Sequence, residues 1–571
     1  MVNPRIYRAG FLPALLALIV VMFSVEPLPE PLDAPISPTG FESGPAARAA
    51  RGMVAAAPER TPGSDDDEVA AEFVAERLGA VQGGELSEQT FASSFEGEEV
   101  ELRNEILVLP GESERQVVLL AARDSARGPG FATSAAATGA LIEIAESFGG
   151  ARHSKTLVFV STAAGSDGAT GAREFADAYP DLDLIDAAIV IEQPGAAEPA
   201  PPHVIPWSSG PESTSIQLTL TAAAAVTAQI DAPAGEGAAL GGLLSLALPS
   251  GLGEQSVLIA DGINAVGISA AGERPLPPAD DGSKSLSAVT LGEYGRAALA
   301  LVTALDAAPV APEHGPDAYI RVAGNLVPGW SLGLLTLTLV LPSALAAFDA
   351  VARSWRRGDG RPRDLAWVMG RCLPFVAALA LAMLLAFVGI APRPRFPFDP
   401  GRFAIGWGAA AVLFCLTAAF TLAWIATKPL RVPRGSTRAA LGGAAGVMLC
   451  VAVVAVWILN PYLALLAVPA AHSWLAIAPP GDSLGIAGAV AAVAGAVVLP
   501  LVGIADLASR LEVGITVPWH LLLMVVGGQL GVLLGLLGAL IAGCFVALVA
   551  AARGAPEELA AAPRLSARVG G

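Results

Sequence analysis

The stretch QVVLLAARDSARGPGFATSAAATGALIEIAE, from Gln116 to Glu146, decides the fold class. It begins with a near-continuous apolar run, passes through a polar tip and a glycine-bearing loop, and ends in a helical pattern. A short apolar strand followed by a helix is typical of a parallel sheet that is covered on both faces. Because ligands bind at the carboxyl ends of such strands, the tip from Arg123 to Ser134 is the first candidate site.

Further runs of the same kind extend the pattern on both sides. KTLVFVST, DAAIVIEQ and AVGISA follow, separated by helical stretches at 132–149, 168–179 and 286–307. Upstream, QTFASSF and VELRNEILVLPG are predicted to form a hairpin, and Ser64 is predicted to cap a helix. The sequence therefore predicts an α/β domain over 61–308, with a mixed sheet covered by helices.

Composition indicates that this domain belongs to a membrane protein. Hydrophobic residues make up 54% of the 571 residues, charged residues 15%, and the mean hydropathy is +0.59. Charge is unevenly placed, with 43 acidic and 15 basic residues between 26 and 328, against 9 and 19 elsewhere. This difference indicates that residues 26–328 and the rest of the chain lie in two different environments. The acidic balance, without interleaved basic and aromatic residues, argues against nucleic acid as a partner.

Apolar runs at the N-terminus and after Gly329 predict the membrane-spanning parts. Arg5 and Arg8 precede GFLPALLALIVVMFSV, which is typical of a secretory signal or signal anchor; we predict a retained anchor. Seven later spans are predicted at 330–348, 366–391, 404–426, 440–459, 461–478, 484–505 and 519–551. The last run would be about 50 Å long against a hydrocarbon core of about 30 Å, so it must tilt, protrude or break, the break falling at Gly527–Gly528.

Basic loops orient these spans. Arg353 to Arg363 and Lys428 to Arg438 predict cytoplasmic loops, whereas Arg393, Arg395 and Arg402 fill a loop that should face outside and so depart from the rule. We predict a plasma-membrane protein, of bacterial composition, with residues 26–328 extracytoplasmic and both termini cytoplasmic. The predicted parts are an anchor (1–25), a Pro-rich spacer (26–60), the α/β domain (61–308), a linker (309–328), a bundle of about seven helices (329–552) and a tail (553–571).

Eight motifs of the predicted domain occur in a family's order. They are TPGS, ILVLPG, VVLLAARDS, TGALIEIAE, KTLVFVSTAAGSDGATGAREFA, AAIVIEQPG, LIADGINAVGIS and LPPADDG. Together they resemble the M28 zinc aminopeptidase family. The resemblance implies two zinc ions bridged by a carboxylate, and a glutamate base that activates water against an N-terminal peptide bond.

The family's site positions lack most of their metal donors in this sequence. They fall on Ala122, Asp124, Thr133, Gly165 with Ser166 (or Ser166 with Asp167), Glu192, Leu276 and Asp280. Only Glu192 stands at a ligand position with a competent donor. Asp124 and Asp280 match residues that orient the ligands. His153, His203 and His314 lie in segments away from these tips. We therefore predict no zinc and no other cofactor, and a vestigial cleft formed by Asp124, Glu192 and Asp280.

The layout of an anchor, this domain and further spans is also similar to the GPI transamidase subunit that has a degenerate aminopeptidase domain. We predict a catalytically inactive binding or scaffold module for a peptide, protein or lipid-linked partner. Two alternatives stay open: an active zinc peptidase of the M28 family, and a transporter or lipid-handling bundle with a regulatory exported domain. Ser125 and Ser134 beside Asp124 could form a nucleophile site, although these residue types are also typical of turns and caps.

Two features of the spans carry further hypotheses. His472 lies in a predicted span, where an ionisable residue has either a functional or a packing role. Small residues recur every fourth position at Gly527, Gly531, Gly535, Ala539 and Gly543, which predicts close helix packing within the bundle or against a membrane-protein subunit. All four cysteines lie in spans, so the exported domain has no disulfide or thiol chemistry.

Overall fold

The protein is described from a computed structural model, which describes residues 4–35, 40–125, 128–234, 239–272, 274, 276–277, 280–358, 362–427, 437–477 and 486–553. The strands are β1 (Glu26–Pro27), β2 (Glu85–Phe95), β3 (Glu98–Leu109), β4 (Ser113–Ala122), β5 (Lys155–Thr162), β6 (Ile185–Glu192), β7 (His203–Ile205), β8 (Ala265–Ser269), β9 (Tyr319–Val322) and β10 (Asn325–Pro328). Helices up to the second membrane crossing are α1 (Pro4–Ala9), α2 (Phe11–Phe23), α3 (Ser43–Ala56), α4 (Asp65–Gly79), α5 (Ser134–Phe148), α6 (Thr170–Ala178), α7 (Ile216–Ile230), α8 (Ala239–Ala247), α9 (Glu254–Ala260), α10 (Ala288–Ala307) and α11 (Gly329–Arg356). The remaining helices are α12 (Pro362–Phe387), α13 (Trp407–Thr427), α14 (Arg438–Leu459), α15 (Pro461–Ile477), α16 (Ile486–Arg510), α17 (Val517–Val526) and α18 (Val532–Arg553).

A seven-stranded mixed sheet forms the centre of the α/β domain, which comprises β2 to β8 and α3 to α10. The strand order is β2-β3-β5-β4-β6-β8-β7; β4, β5, β6 and β8 are parallel, and the others join antiparallel. Along β4, Val117 and Leu119 pack with α3, α5 and α10, whereas Val118 and Leu120 pack with α6 and α9. Helices on both faces explain why the strands are continuously apolar, and they confirm the predicted fold class.

The predicted spacer and linker are wrong. Residues 43–56 form α3, an alanine-rich helix whose Ala46, Ala50 and Met53 are fully buried in the domain core. A Cβ at Gly139 of α5 would meet the Ala46 carbonyl oxygen, so the two helices approach closely there. The predicted linker contains the β9–β10 hairpin, with which β1 pairs. The sequence analysis missed these elements because prolines and small residues produce only a weak periodic pattern of hydrophobic side chains.

Seven of the described helices are long and apolar enough to cross a membrane: Arg5–Phe23, Gly329–Arg356, Pro362–Phe387, Trp407–Thr427, Ala440–Leu459, Val490–Arg510 and Val532–Ala551. The sequence predicts one further crossing, at 461–478; it corresponds to α15, which is a shorter helix of 17 residues. The bundle is named here as α1, α2 and α11 to α18. Of the residues that orient it, Arg361, Lys428, Arg431, Arg434 and the tail from 554 onward lie outside the described residues, so the predicted orientation stays a prediction.

His472 connects three helices of the bundle. Its Nε2 lies 2.8 Å from the Leu339 carbonyl oxygen, and its Nδ1 lies 2.9 Å from Ser343 Oγ and 3.0 Å from the Tyr7 hydroxyl. Phe11 stacks on the ring. Because both ring nitrogens have partners, this geometry favours the packing role over the functional one.

The long C-terminal run breaks, and its predicted helix face is wrong. Helix α17 ends at Val526 and α18 begins at Val532, with Gly528 and Gly531 at φ +98° and +72° between them. Gly527 and Gly531 therefore do not share a helix face with Gly535. A Cβ at Gly543 would overlap the backbone of Cys372, so the small residues of α18 pack against α12 of the same bundle. A subunit contact at Gly527, Gly531 and Gly535 stays a prediction.

Candidate functional site

A cavity of about 320 Å³ lies at the carboxyl ends of the parallel strands, where the sequence placed the candidate site. One wall comes from the α/β domain and the other from residues 388–406, named here the 388–406 loop, which joins α12 to α13. The residues that line it and are used below are Ala122, Asp124, Thr133, Gly165, Ser166, Glu192, Leu252, Gly253, Glu254, Arg274, Leu276, Asp281, Phe398, Asp399 and Arg402.

The structure brings together most of the positions that the resemblance selected. Ala122, Thr133 and Leu276 line the same cavity, as do Gly165 and Ser166. They come from three segments far apart in the chain, at or after the ends of β4, β5 and β8, and the order of the parallel strands makes them neighbours. The matched positions therefore form one site, although most of them carry no metal donor.

Asp124 lies at the centre of this site. It is 3% exposed, and its Oδ1 accepts from the Gly165 amide at 2.7 Å. Its Oδ2 accepts from the Ser166 amide at 3.1 Å and from Ser166 Oγ at 2.5 Å. Burial raises the pKa of Asp124, and the hydrogen bonds from Ser166 and Gly165 partly oppose that rise. Asp124 therefore holds the turn after β5, because both of its carboxylate oxygens accept hydrogen bonds from that turn.

Asp280 does not line the cavity, contrary to the predicted cleft. Its side chain is exposed, whereas the neighbouring Asp281 is 4% exposed and lines the cavity. Asp281 accepts from the Ala132 amide at 2.7 Å and from Thr133 Oγ1 at 2.5 Å. Asp281, the second acidic residue of ADDG, thus connects its loop to the N-terminus of α5, whereas the first, Asp280, is exposed and outside the cavity lining.

Glu192 lines the cavity together with Glu254, which the sequence analysis missed. Glu192 Oε1 accepts from the Glu254 amide at 3.1 Å, and Glu254 Oε1 accepts from Thr162 Oγ1 at 2.5 Å. The pKa of Glu254 is raised to about 7, chiefly by burial; the hydrogen bond from Thr162 opposes this rise, and the nearby charge of Asp124 contributes to it. The lone glutamate inside the apolar GLGEQSVLIA was the available signal.

Arg60 is the second residue that sequence reasoning missed. It is fully buried behind the cavity, where it donates to the carbonyl oxygens of Arg123 at 2.8 Å and Pro129 at 3.0 Å, and to Ser134 Oγ at 3.1 Å. Burial lowers the pKa of Arg60 to about 10, opposed by the charges of nearby carboxylates, of which Asp124 is the strongest. Ser134 is thereby engaged by a guanidinium, and the part of the chain described here places no histidine in the cavity lining to activate it as a nucleophile.

The 388–406 loop closes the outer side of the cavity. Gly168 donates its amide to the Pro397 carbonyl at 3.1 Å, and Arg173 donates to the Phe396 carbonyl at 2.7 Å. Arg402 lies 3.4 Å from Asp167 and 2.9 Å from Glu96. Asp167, the alternative partner of Ser166 in the matched glutamate pair, therefore binds the loop and does not line the cavity.

The donor set does not fit a pair of zinc ions. Zinc needs three or four nitrogen, sulfur or carboxylate donors that converge at about 2 Å. Among the described His, Cys, Asp and Glu side chains, no three lie close enough to hold a metal ion. Asp124 and Asp281 accept hydrogen bonds from the domain itself at both oxygens. Of the domain's histidines, His153 bonds the Lys155 carbonyl and His314 is exposed.

No protein-family model matches the chain, and no curated protein matches it. Solved structures that align with it include an Acidobacteriales bacterium glutaminyl cyclase (17% identity, 48% of this chain and 98% of that chain, TM-score 0.37). Others are a leucine aminopeptidase precursor from Bacteroides thetaiotaomicron (14%, 48% and 99%, 0.38) and a Zn-dependent exopeptidase from Parabacteroides distasonis (17%, 47% and 98%, 0.35). These similarities cover about half of this chain.

Proposed function

We propose that the protein is a membrane-embedded binding module whose α/β domain holds a ligand in the cavity without acting as a zinc peptidase. The chemistry of the cavity wall carries the proposal. Ala122, Thr133 and Leu276 replace donors at the positions that the resemblance assigns to the metals, and the carboxylates of Asp124 and Asp281 are engaged by the domain's own hydrogen-bond donors.

The ligand class follows from the charges of the wall. Four carboxyl groups of the α/β domain line the cavity, and Arg274 and Arg402 line the side nearest the 388–406 loop. A buried carboxyl group favours a cationic partner because each charge offsets the desolvation of the other. A peptide, protein or lipid-linked ligand that presents an amine toward Glu254 and Glu192 fits this arrangement.

The membrane part has a direct role in this proposal because its 388–406 loop supplies Phe398, Asp399 and Arg402 to the wall. The contact between the loop and the α/β domain supports an orientation in which both lie on the same side of the membrane, which the predicted N-terminal anchor makes the extracytoplasmic side. Under this proposal the bundle is a scaffold that keeps the cavity at the membrane surface.

The deciding experiment is the zinc content of the full-length protein in detergent, measured by mass spectrometry after zinc loading and gel filtration. We expect substoichiometric zinc. The matched control is the triple variant Ala122→His, Thr133→Asp and Leu276→His, which returns donors to the same wall and should retain more metal. Two zinc ions per wild-type chain, together with hydrolysis of aminoacyl substrates, would overturn the proposal in favour of an active peptidase.

A second measurement tests binding itself. Amine-bearing dipeptides and amine-bearing short-chain lipids are screened for a rise in the unfolding temperature of the full-length protein, because a ligand that binds only the folded state stabilises it. The rise should be lost in Glu254→Gln. A rise that persists in this variant would place the ligand elsewhere.

A further inference from the structure

One wall of the cavity is the connection between α8 and α9, residues 248–253, which leads directly into Glu254. Leu252, Gly253 and Glu254 all line the cavity. At its far end this connection is fixed by Glu192, which accepts the Glu254 amide and lies so close to Gly253 that a Cβ there would overlap the carboxylate. The path of the connection therefore sets the position of the Glu254 side chain.

The bundle holds the near end of the connection through polar side chains. Arg510, the last residue of α16, donates to Ser250 Oγ at 2.5 Å and to the Leu248 carbonyl at 3.1 Å, and Asp506 orients its guanidinium at 2.8 Å. Asn460 donates to the Leu246 carbonyl at 2.9 Å. The last carbonyls of a helix have no partner within it, and a cation there also complements the helix dipole. At the C-terminus of α8, the bundle supplies hydrogen-bond donors for these carbonyls, from Asn460 and Arg510, and the positive charge of Arg510.

The break between α17 and α18 supplies the third contact. Gln529 lies between Gly528 and Gly531, both at positive φ, and its Nε2 donates to the Ser209 carbonyl and lies 3.5 Å from the Pro249 carbonyl. Non-helical backbone within a membrane-spanning run is tolerated where the protein itself buries it. Here the break presents an amide to the cavity wall, which a continuous helix would not do at this position.

We propose that Arg510 and Gln529 are positioning residues for the cavity: through residues 248–253 the bundle sets where Leu252 and Glu254 lie. Occupancy of the cavity is thereby coupled to the arrangement of α16 and of the α17–α18 break. This inference deepens the proposed function, and its meaning for ligand binding rests on it. Thr133, the N-cap of α5, lines the cavity elsewhere; it precedes residues of the domain core, and its hydroxyl donates to Asp281 of the same domain, so its position does not depend on these contacts.

The test reads the position of the wall without any ligand. Leu252→Cys or Thr133→Cys is placed in the full-length protein in nanodiscs, and the rate of labelling by a charged, membrane-impermeant maleimide is measured. The chain without an added cysteine gives the background, since its four thiols lie on membrane helices. Each reporter is then combined with Gln529→Ala, Arg510→Ala or Arg510→Lys.

We expect labelling at position 252 to rise several-fold with Gln529→Ala and with Arg510→Ala, and less with Arg510→Lys, which keeps the charge but loses the forked donor geometry. Labelling at position 133 should not change. Arg353→Ala is the matched control, because Arg353 makes the same type of i,i+4 ion pair, to Asp349, at the other end of the bundle. It should change neither rate.

Unchanged labelling at position 252 in both variants would overturn the proposal. A rise of equal size at positions 252 and 133 would also overturn it, because it would mean general loosening of the domain. Failure of the proposed function is distinguishable, because it is read by zinc content and ligand-induced stabilisation and leaves these labelling rates unaffected.

Discussion

Replacing Glu254 with glutamine should stabilise the α/β domain at neutral and alkaline pH and have little effect in acid. The side chain is 4% exposed, and burial raises its pKa from 4.5 to about 7. In acid the carboxyl group is therefore protonated, and Glu254→Gln is close to isosteric with that form. The hydrogen bond from Thr162 Oγ1 to Glu254 Oε1 can be kept by the amide oxygen.

The sign follows from the direction of the shift. Because the folded-state pKa lies above the unfolded value, the stability that the wild-type carboxyl group contributes is fully present below about pH 4.5 and is lost as the pH rises through about 7. A rise of the pKa from 4.5 to about 7 corresponds to a loss of about 3 kcal/mol at pH values well above 7. The variant does not titrate, so the difference in the free energy of unfolding should grow with pH toward that value.

The assay is denaturant or thermal unfolding of the full-length protein in detergent between pH 5 and about pH 8.5, with variant and wild type compared at each pH. Taking this difference removes the contributions of all other titrating groups that the substitution leaves unchanged. Glu101→Gln, which removes an exposed carboxyl group of β3, is the control. A difference that does not change with pH, or a variant less stable at pH 8 than at pH 5 relative to wild type, would refute the reasoning.

Three further predictions concern stability. Arg402→Ala removes the ion pair with Glu96 and a cation–π contact 4.8 Å from the Phe95 ring, so we expect a loss of about 1–2 kcal/mol and faster tryptic cleavage of the 388–406 loop; unchanged cleavage would contradict the role of the loop as a closed wall. Gly253→Ala places a Cβ against a carboxylate and should lower the free energy of unfolding by about 1–3 kcal/mol, whereas Gly282→Ala, with open space around it, should be tolerated. Ser64→Ala removes the cap of α4 and should cost about 1 kcal/mol, which thermal unfolding would detect.

The sheet and the location of the cavity could be predicted because both depend on local patterns. Apolar runs define the parallel strands, and the chain order of a parallel sheet limits which strand tips can meet. The family resemblance selected Ala122, Thr133 and Leu276, and the strand order explains why all three line one cavity. These residues are neighbours because the parallel strands that carry or precede them lie close together in the sheet.

Glu254 and Arg60 could not be found in this way. Glu254 is a single charged residue in an apolar segment, Arg60 lies beside Glu59 in a loop, and the place of each in the site depends on contacts across the fold. Asp280 and Asp281 illustrate a finer limit, since a shift of one residue in a loop decides which carboxyl group faces the cavity. Asp281 is buried and accepts hydrogen bonds from Ala132 and Thr133, whereas Asp280 is exposed.

Under the predicted orientation, the basic 388–406 loop departs from the positive-inside rule, and the structure offers a physical reason. The positive-inside pattern concerns arginines whose charge is free to interact with the membrane and the translocation machinery. Arg395 and Arg402 instead donate to or pair with residues of the α/β domain, Arg395 to Ser93 at 2.8 Å and Arg402 to Glu96 and Asp167. The strongly acidic domain supplies the counter-charges, so the excess of arginine in this loop reflects docking of the domain on the bundle. The same docking forms the outer wall of the cavity.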